Sequence, residues 1–364
     1  MNNSRLYFID IIRAFAILMM LQGHFIDSLL SDSYKDLNSI YFSIWSYFRG
    51  ITAPTFFTIS GLIFTYLLLK AKEKGIEKLR IRKGIIRGFF LIGVGYLIRI
   101  PFLAWFSGYF NSYFLVIDVL QCIGLSLILI IVLYLLCAKK TNLFSIVLLI
   151  LGFLIFLSEP LYRGLSFDNI PVIFNNYVSK SNGSVFTIIP WFGYIVFGAY
   201  LATLFHKYLY KNNFKKIAVA SFFVIGAVLI IYSSYFLNLI YQLTNIKLFF
   251  DSANYNYLFT RLGNVFLYFS FFYGFEHLLK FPLILKIGQK TLSIYVIHFI
   301  IIYGSFTGIG LKNLVGETLT PWQAIFGALL FLITVCLISF YYVKPNAFLY
   351  SHLRRLFYKV KSKL

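Results

Sequence analysis

The sequence predicts an all-α, polytopic integral membrane protein of about ten transmembrane helices with both termini in the cytoplasm. Three observations predict it. The 364 residues are 60% hydrophobic and only 12% charged, with a mean hydropathy of +0.82. A soluble domain keeps close to a quarter of its residues charged, so this chain is solvated mainly by lipid. About ten apolar stretches are long enough to cross a bilayer, near 7–30, 50–69, 88–107, 116–137, 142–158, 186–205, 217–239, 257–278, 284–305 and 321–343. The basic residues then alternate between the connections. With the N-terminus inside, 24 of the 33 Lys and Arg fall in cytoplasmic segments, six in outside loops and three within spans. An odd number of spans breaks that alternation.

The remaining bulk features follow from the same reading. A net charge of +21 suggests nucleic acid in a soluble protein, but here it sorts to the cytoplasmic side, and no nucleic-acid partner is expected. The run from Tyr7 to Leu30 is too long for a cleavable signal and is expected to remain as the first span. Cys122, Cys137 and Cys336 sit in apolar stretches without paired or ligand spacing, so neither disulfides nor a metal are expected. The whole chain reads as one membrane-embedded domain, with a basic amphipathic tail at about 346–364 lying on anionic lipid.

Ionisable groups inside a bilayer are costly, so each marks a candidate site. In the first span, Arg13 and His24 are eleven residues apart, three turns plus about 20°, which puts them on one face roughly 16 Å apart along the axis. Asp10 lies one turn before Arg13 and Asp27 about one turn after His24, on the same stripe. The bland alternative is an interfacial Asp10–Arg13 pair and a His24 bonded to a neighbouring helix. The functional reading is acyl transfer. A neutral imidazole takes a proton from a hydroxyl or amine as it attacks a thioester, Asp27 fixes its tautomer, and Arg13 with Asp10 meets the donor's oxyanions.

The Arg-X10-His spacing of Arg13 and His24 resembles the first-span motif of the acyltransferase-3 family. The wider run RLYFIDIIRAFAILMMLQGHF, with TAPTFFTISGLIFTYLL, DVLQCIGLSLIL, IPWFGYIVFGAYLA and TLSIYVIHFIII, looks closer to a sister group. That group is the bacterial proteins with a heparan-α-glucosaminide N-acetyltransferase-like catalytic domain. The resemblance implies about ten helices in a bacterial cytoplasmic membrane. It also implies transfer of an acyl group, acetyl first, from cytoplasmic acyl-CoA to a hydroxyl or amino group of an extracytoplasmic glycan or glycolipid. By it, His24 matches the catalytic histidine and Arg13 its motif partner. The chain departs from the acyltransferase-3 Arg-X-X-Arg pattern at the third span, where Arg80, Arg82, Lys83 and Arg87 cluster at other spacings. Residues 28–49 also lack the histidine that some heparan-type enzymes carry there.

The basic cluster suits the phosphates of coenzyme A arriving from the cytoplasm, and membrane lipids are the competing partner. On the outer side, Arg99, Asp118, Trp191, Arg261 and Asn264 form a candidate acceptor site: polar groups for sugar hydroxyls and a ring for the apolar sugar face. The alternatives are an Arg99–Asp118 structural pair and a belt tryptophan. His298 reads as a buried histidine bonded to another helix, or as a tunnel-lining group. The competing function class is a transporter or flippase of a glycan or lipid-linked substrate, which broken helices or internal repeats favour. Oligomerisation is compatible with either class.

Overall fold

The computed structural model describes residues 6–167 and 169–341, and the basic tail expected at about 346–364 lies outside them. Among the described residues the chain is helical, without strands. In order the helices are α1 (Tyr7–Leu29), α2 (Ile40–Arg49), α3 (Thr52–Glu73), α4 (Glu77–Leu97), α5 (Phe102–Phe106), α6 (Val119–Leu136), α7 (Thr141–Leu157), α8 (Glu159–Tyr162) and α9 (Val172–Val178). They continue with α10 (Ile188–Tyr208), α11 (Phe214–Thr244), α12 (Lys247–Asn254), α13 (Tyr257–Gly274), α14 (Glu276–Leu279), α15 (Pro282–Gln289), α16 (Thr291–Tyr303), α17 (Leu311–Leu314) and α18 (Pro321–Tyr341).

Every apolar stretch found in the sequence falls on one or two of these helices, but the lengths differ. Among the described residues six segments are long and apolar enough to cross a membrane, and a seventh is added if α15 and α16 count together. The predicted third span, 88–107, begins earlier as α4 and stops before Pro101. Lys and Arg are good helix formers, so the basic stretch extends the helix backward, and the residue preceding a proline is steered out of helical geometry. The predicted ninth span, 284–305, is a bent pair instead, with 70° between α15 and α16 at Lys290. The broken helix not visible in the sequence is therefore present.

Helix α1 runs through the centre, packed by α3, α13, α15, α16 and α18. Its N-terminal half is packed around Phe8, Ile11, Ile12 and Ile17, all buried. Close helix approach depends on missing side chains, since lipid gives no hydrophobic drive for helices to associate. Where α3 crosses α10, a Cβ at Gly61 would run into the Ile195 carbonyl, and one at Gly198 into the Thr58 carbonyl. Gly288 of α15 lies in the same way against the Asp10 carbonyl of α1, which fixes the bent pair to the first helix. Hydroxyls inside α3 bond back to their own helix: Thr55 to the Ile51 carbonyl, Thr58 to Pro54 and Ser60 to Phe56. These bonds satisfy polar groups that lipid cannot. Helix α6 starts with a capping box, Asp118 accepting from the Val119 amide at 2.8 Å while Gln121 accepts from the Asp118 amide.

Candidate active site

The break between α15 and α16 brings Thr291 onto α1. Its hydroxyl accepts a 2.7 Å hydrogen bond from Arg13 Nη2, and Arg13 Nη1 lies 3.9 Å from Asp10 Oδ1. The guanidinium is thus held by a carboxylate one turn back and a hydroxyl from a helix 278 residues later in the chain. Eleven residues along α1, His24 Nδ1 is 3.0 Å from the Tyr303 hydroxyl at the end of α16. Arg13 and His24 are therefore gripped by opposite ends of one partner helix. With Nδ1 engaged by Tyr303, Nε2 is the nitrogen left for proton exchange, and Nδ1–H donates to the Tyr303 oxygen in the tautomer that makes Nε2 a base.

Arg13 and His24 line a single cavity of about 630 Å³. Towards the basic start of α4 it reaches Arg80 and Arg87, and at its other end it reaches Arg49, Trp191 and Arg261. Five arginines and a histidine line it, and among the described residues no carboxylate does. A second cavity of about 660 Å³ adjoins it, sharing Ile63, Leu67 and Arg80. Its walls carry Asp10, Lys70, Lys74 and Lys83, with Tyr7 and Tyr66 as aromatic surfaces. A space lined so heavily by cations in an apolar bundle is suited to an anionic occupant. Among the described residues no cluster of His, Cys, Asp or Glu could hold a metal ion.

The structure distributes the remaining sequence candidates unevenly. Asp27, expected to orient His24, instead pairs with Arg49 at 2.5 Å. The helical stripe set Asp27 close to His24, but its side chain points to α2, where an opposite charge is within reach. Arg82 is exposed and lines neither cavity, because it sits on the face of α4 turned away from Arg80. Arg99 and Asp118 form a half-buried ion pair at 2.8 Å that joins the end of α4 to the cap of α6, and neither lines the cavity. Arg99 is also covered by the rings of Tyr113 and Phe299. Trp191 does line the cavity, its indole donating to the Val185 carbonyl and its ring against Phe57 and Phe186. Arg261 donates to the Tyr47 carbonyl at 2.7 Å, and Asn264 accepts from the Tyr47 hydroxyl at 2.8 Å, so these two α13 residues anchor α2.

Helix α2, in the connection between the first two apolar stretches, forms part of the site. Its Arg49 enters the cavity over the Trp45 ring, and Trp45 donates to Gln22 of α1 at 2.8 Å. The available signal was a basic residue ending an aromatic run, IYFSIWSYFR. Thr291 and Tyr303 are further residues of the site that the sequence does not single out. They recur on one side of α16 around His298, visible only once TLSIYVIHFIIIY is known to face α1.

A family model for the catalytic region of heparan-alpha-glucosaminide N-acetyltransferase matches residues 5–242. The chain belongs to that family. The matched segment holds the whole of α1 with Arg13 and His24, the α4 cluster, Arg49 and Trp191, whereas α13, α15 and α16 lie beyond it. Comparison with curated proteins gave no match. A membrane acetyltransferase family and several apolar helices together describe an integral membrane protein of acetyltransferase type.

Proposed function

We propose that this chain transfers an acyl group, acetyl in the simplest case, from cytoplasmic acyl-CoA to a hydroxyl or amino group of an extracytoplasmic glycan or glycolipid. The observation that carries the reading is the continuous cavity that has Arg13 and His24 in its wall, Arg80 and Arg87 at one end, and Arg49, Trp191 and Arg261 at the other. In this reading the adjoining basic cavity receives the phosphates of coenzyme A, next to Lys70, Lys74, Arg80 and Lys83. The acyl-bearing arm extends past Arg13, whose fork holds an oxyanion of the donor, and carries the thioester on towards His24, roughly 16 Å further along α1. The acceptor enters from the side of Arg49, Arg261 and Trp191, the last presenting a ring to a sugar face.

The chemistry assigned to His24 is general-base catalysis. Its Nε2 takes the acceptor proton as the acceptor attacks the acyl carbon; the carbon–sulfur bond breaks and the proton passes to the departing thiolate. Ten spans with both termini cytoplasmic, in a bacterial cytoplasmic membrane, put the α4 cluster on the side where acyl-CoA is made. The test has two arms. Acetyl-CoA or CoA is expected to stabilise the detergent-solubilised protein thermally, and Arg13→Ala to remove that effect. His24→Ala is expected to abolish transfer of label from acetyl-CoA to an envelope fraction while CoA binding stays within about threefold of the unaltered chain. Normal turnover in His24→Ala removes the histidine from the mechanism.

The bent α15–α16 pair favours one second reading, a transporter or flippase, since broken helices recur at transporter substrate sites. Stabilisation by a glycan or an ion, with none by CoA, would select it.

A further inference from the structure

His298 is fully buried in α16, and neither of its ring nitrogens completes a hydrogen bond with a protein partner. Its nearest polar backbone neighbours are the Ile294 and Tyr295 carbonyls of its own helix. A polar ring left without partners away from water is destabilising, so its place asks for a reason. Its neighbours supply one. The His298 ring centroid lies 5.3 Å from that of His24, with the rings inclined by 30°. On its other side, Tyr295 stands edge-on at 5.0 Å, and the Tyr295 hydroxyl faces Asp118. Asp118 is in turn held by Arg99 at 2.8 Å. The charged and titratable groups around the two imidazoles are therefore Asp118 and Arg99 from the α6 and α4 ends, Tyr295 and Tyr303 from α16, and the Asp27–Arg49 pair from α1 and α2.

We propose that His298 is a positioning residue for the base, its neutral ring packed against His24 where the imidazolium forms. The proposal rests on the acyl-transfer reading of the cavity. The acceptor forms its bond to the acyl carbon and gives its proton to His24 Nε2. The neutral His298 ring, backed by Asp118 through Tyr295, stabilises the imidazolium so formed. The carbon–sulfur bond breaks and the thiolate takes that proton, leaving both histidines neutral. No proton, electron or further reactant is left over.

His298→Phe tests this, because a phenyl ring keeps the packing and removes both nitrogens. Acetyl-CoA affinity is expected to stay within about threefold and the melting temperature to hold or rise, as two partnerless polar atoms are gone. Turnover is expected to fall at least about tenfold, and the acid limb of its pH profile to move down by roughly one unit, since His24 becomes the weaker base. His298→Gln, which restores a polar group, is expected to recover part of the turnover, and it is measured in the same way if the Phe variant does not fold. Unchanged turnover with an unmoved acid limb in these variants overturns the proposal and leaves only ring packing. Failure of the unaltered chain to transfer acyl groups from acetyl-CoA would instead overturn the reading beneath it.

Discussion

Tyr303→Phe isolates one contact at the centre of the site. The hydroxyl lies 3.0 Å from His24 Nδ1 and is not among the groups lining the cavity, so its loss changes the base without reshaping the space for either substrate. In the variant, Nδ1–H of the imidazolium has no acceptor at that position. A buried donor left unsatisfied costs about 1–3 kcal/mol. The bond is charge-assisted once His24 carries the extra proton, so its loss costs more in that state than in the neutral one and raises the barrier rather than weakening substrate binding. At about 1.4 kcal/mol per factor of ten, turnover is expected to drop roughly 5- to 150-fold. The KM for acetyl-CoA is expected to move by less than about twofold. Steady-state transfer of labelled acetyl groups by purified protein in detergent or nanodiscs measures both quantities. Turnover within twofold of the unaltered protein would refute the assignment of Tyr303 as the group that fixes the base.

Other expectations rest on different parts of the molecule. Arg80→Gln with Arg87→Gln is expected to raise the KM for acetyl-CoA about tenfold or more with a smaller effect on kcat, whereas Arg82→Gln, exposed and outside both cavities, leaves it unchanged; equal effects from all three would mean a diffuse field. Gly198→Val pushes a side chain into the Thr58 carbonyl at the α3–α10 crossing, so thermal unfolding in detergent should show a loss of at least about 1–3 kcal/mol. An unaltered midpoint would mean that the crossing is loose.

In the connection between α1 and α2, Lys35 bonds Asp32 at 2.9 Å, and it reaches Glu317, ahead of α18, at 3.5 Å. Burial lowers the Lys35 pKa, but the bond to Asp32 and the charges of Glu317 and Asp32 outweigh it and hold the ammonium above its ordinary value. The bond from Lys35 holds Asp32 below the usual carboxylate range. The Lys35 contribution is present at neutral pH and lost as pH rises past about 10.5, and the Asp32 contribution is lost as pH falls below about 4. Protease sensitivity near residues 31–39 should therefore be flat at intermediate pH and rise at both extremes in the unaltered chain, but not at high pH in Lys35→Met.

The first helix was the most legible part of this protein. Composition required lipid as solvent, and the 3.6-residue repeat placed Asp10, Arg13, His24 and Asp27 along one stripe. The spacing in α1 needs no partner to be read, and both Arg13 and His24 do line one cavity. The apolar stretches likewise announced most of the helices, because a run of that length has nowhere else to be buried. What each polar group meets was decided only by assembly. Asp27 lay near His24 in the stripe yet bonds Arg49, and neither Arg99 nor Asp118 lines the cavity that both were expected to line. Tyr303 and Thr291 reach α1 from 279 and 278 residues away, across a bend at Lys290 that no apolar count records. Periodicity reports the direction a side chain leaves its own helix, a local property of backbone geometry. Contact depends on which helix arrives there and at what angle, and glycines such as Gly288 against the Asp10 carbonyl set that angle through space rather than along the chain.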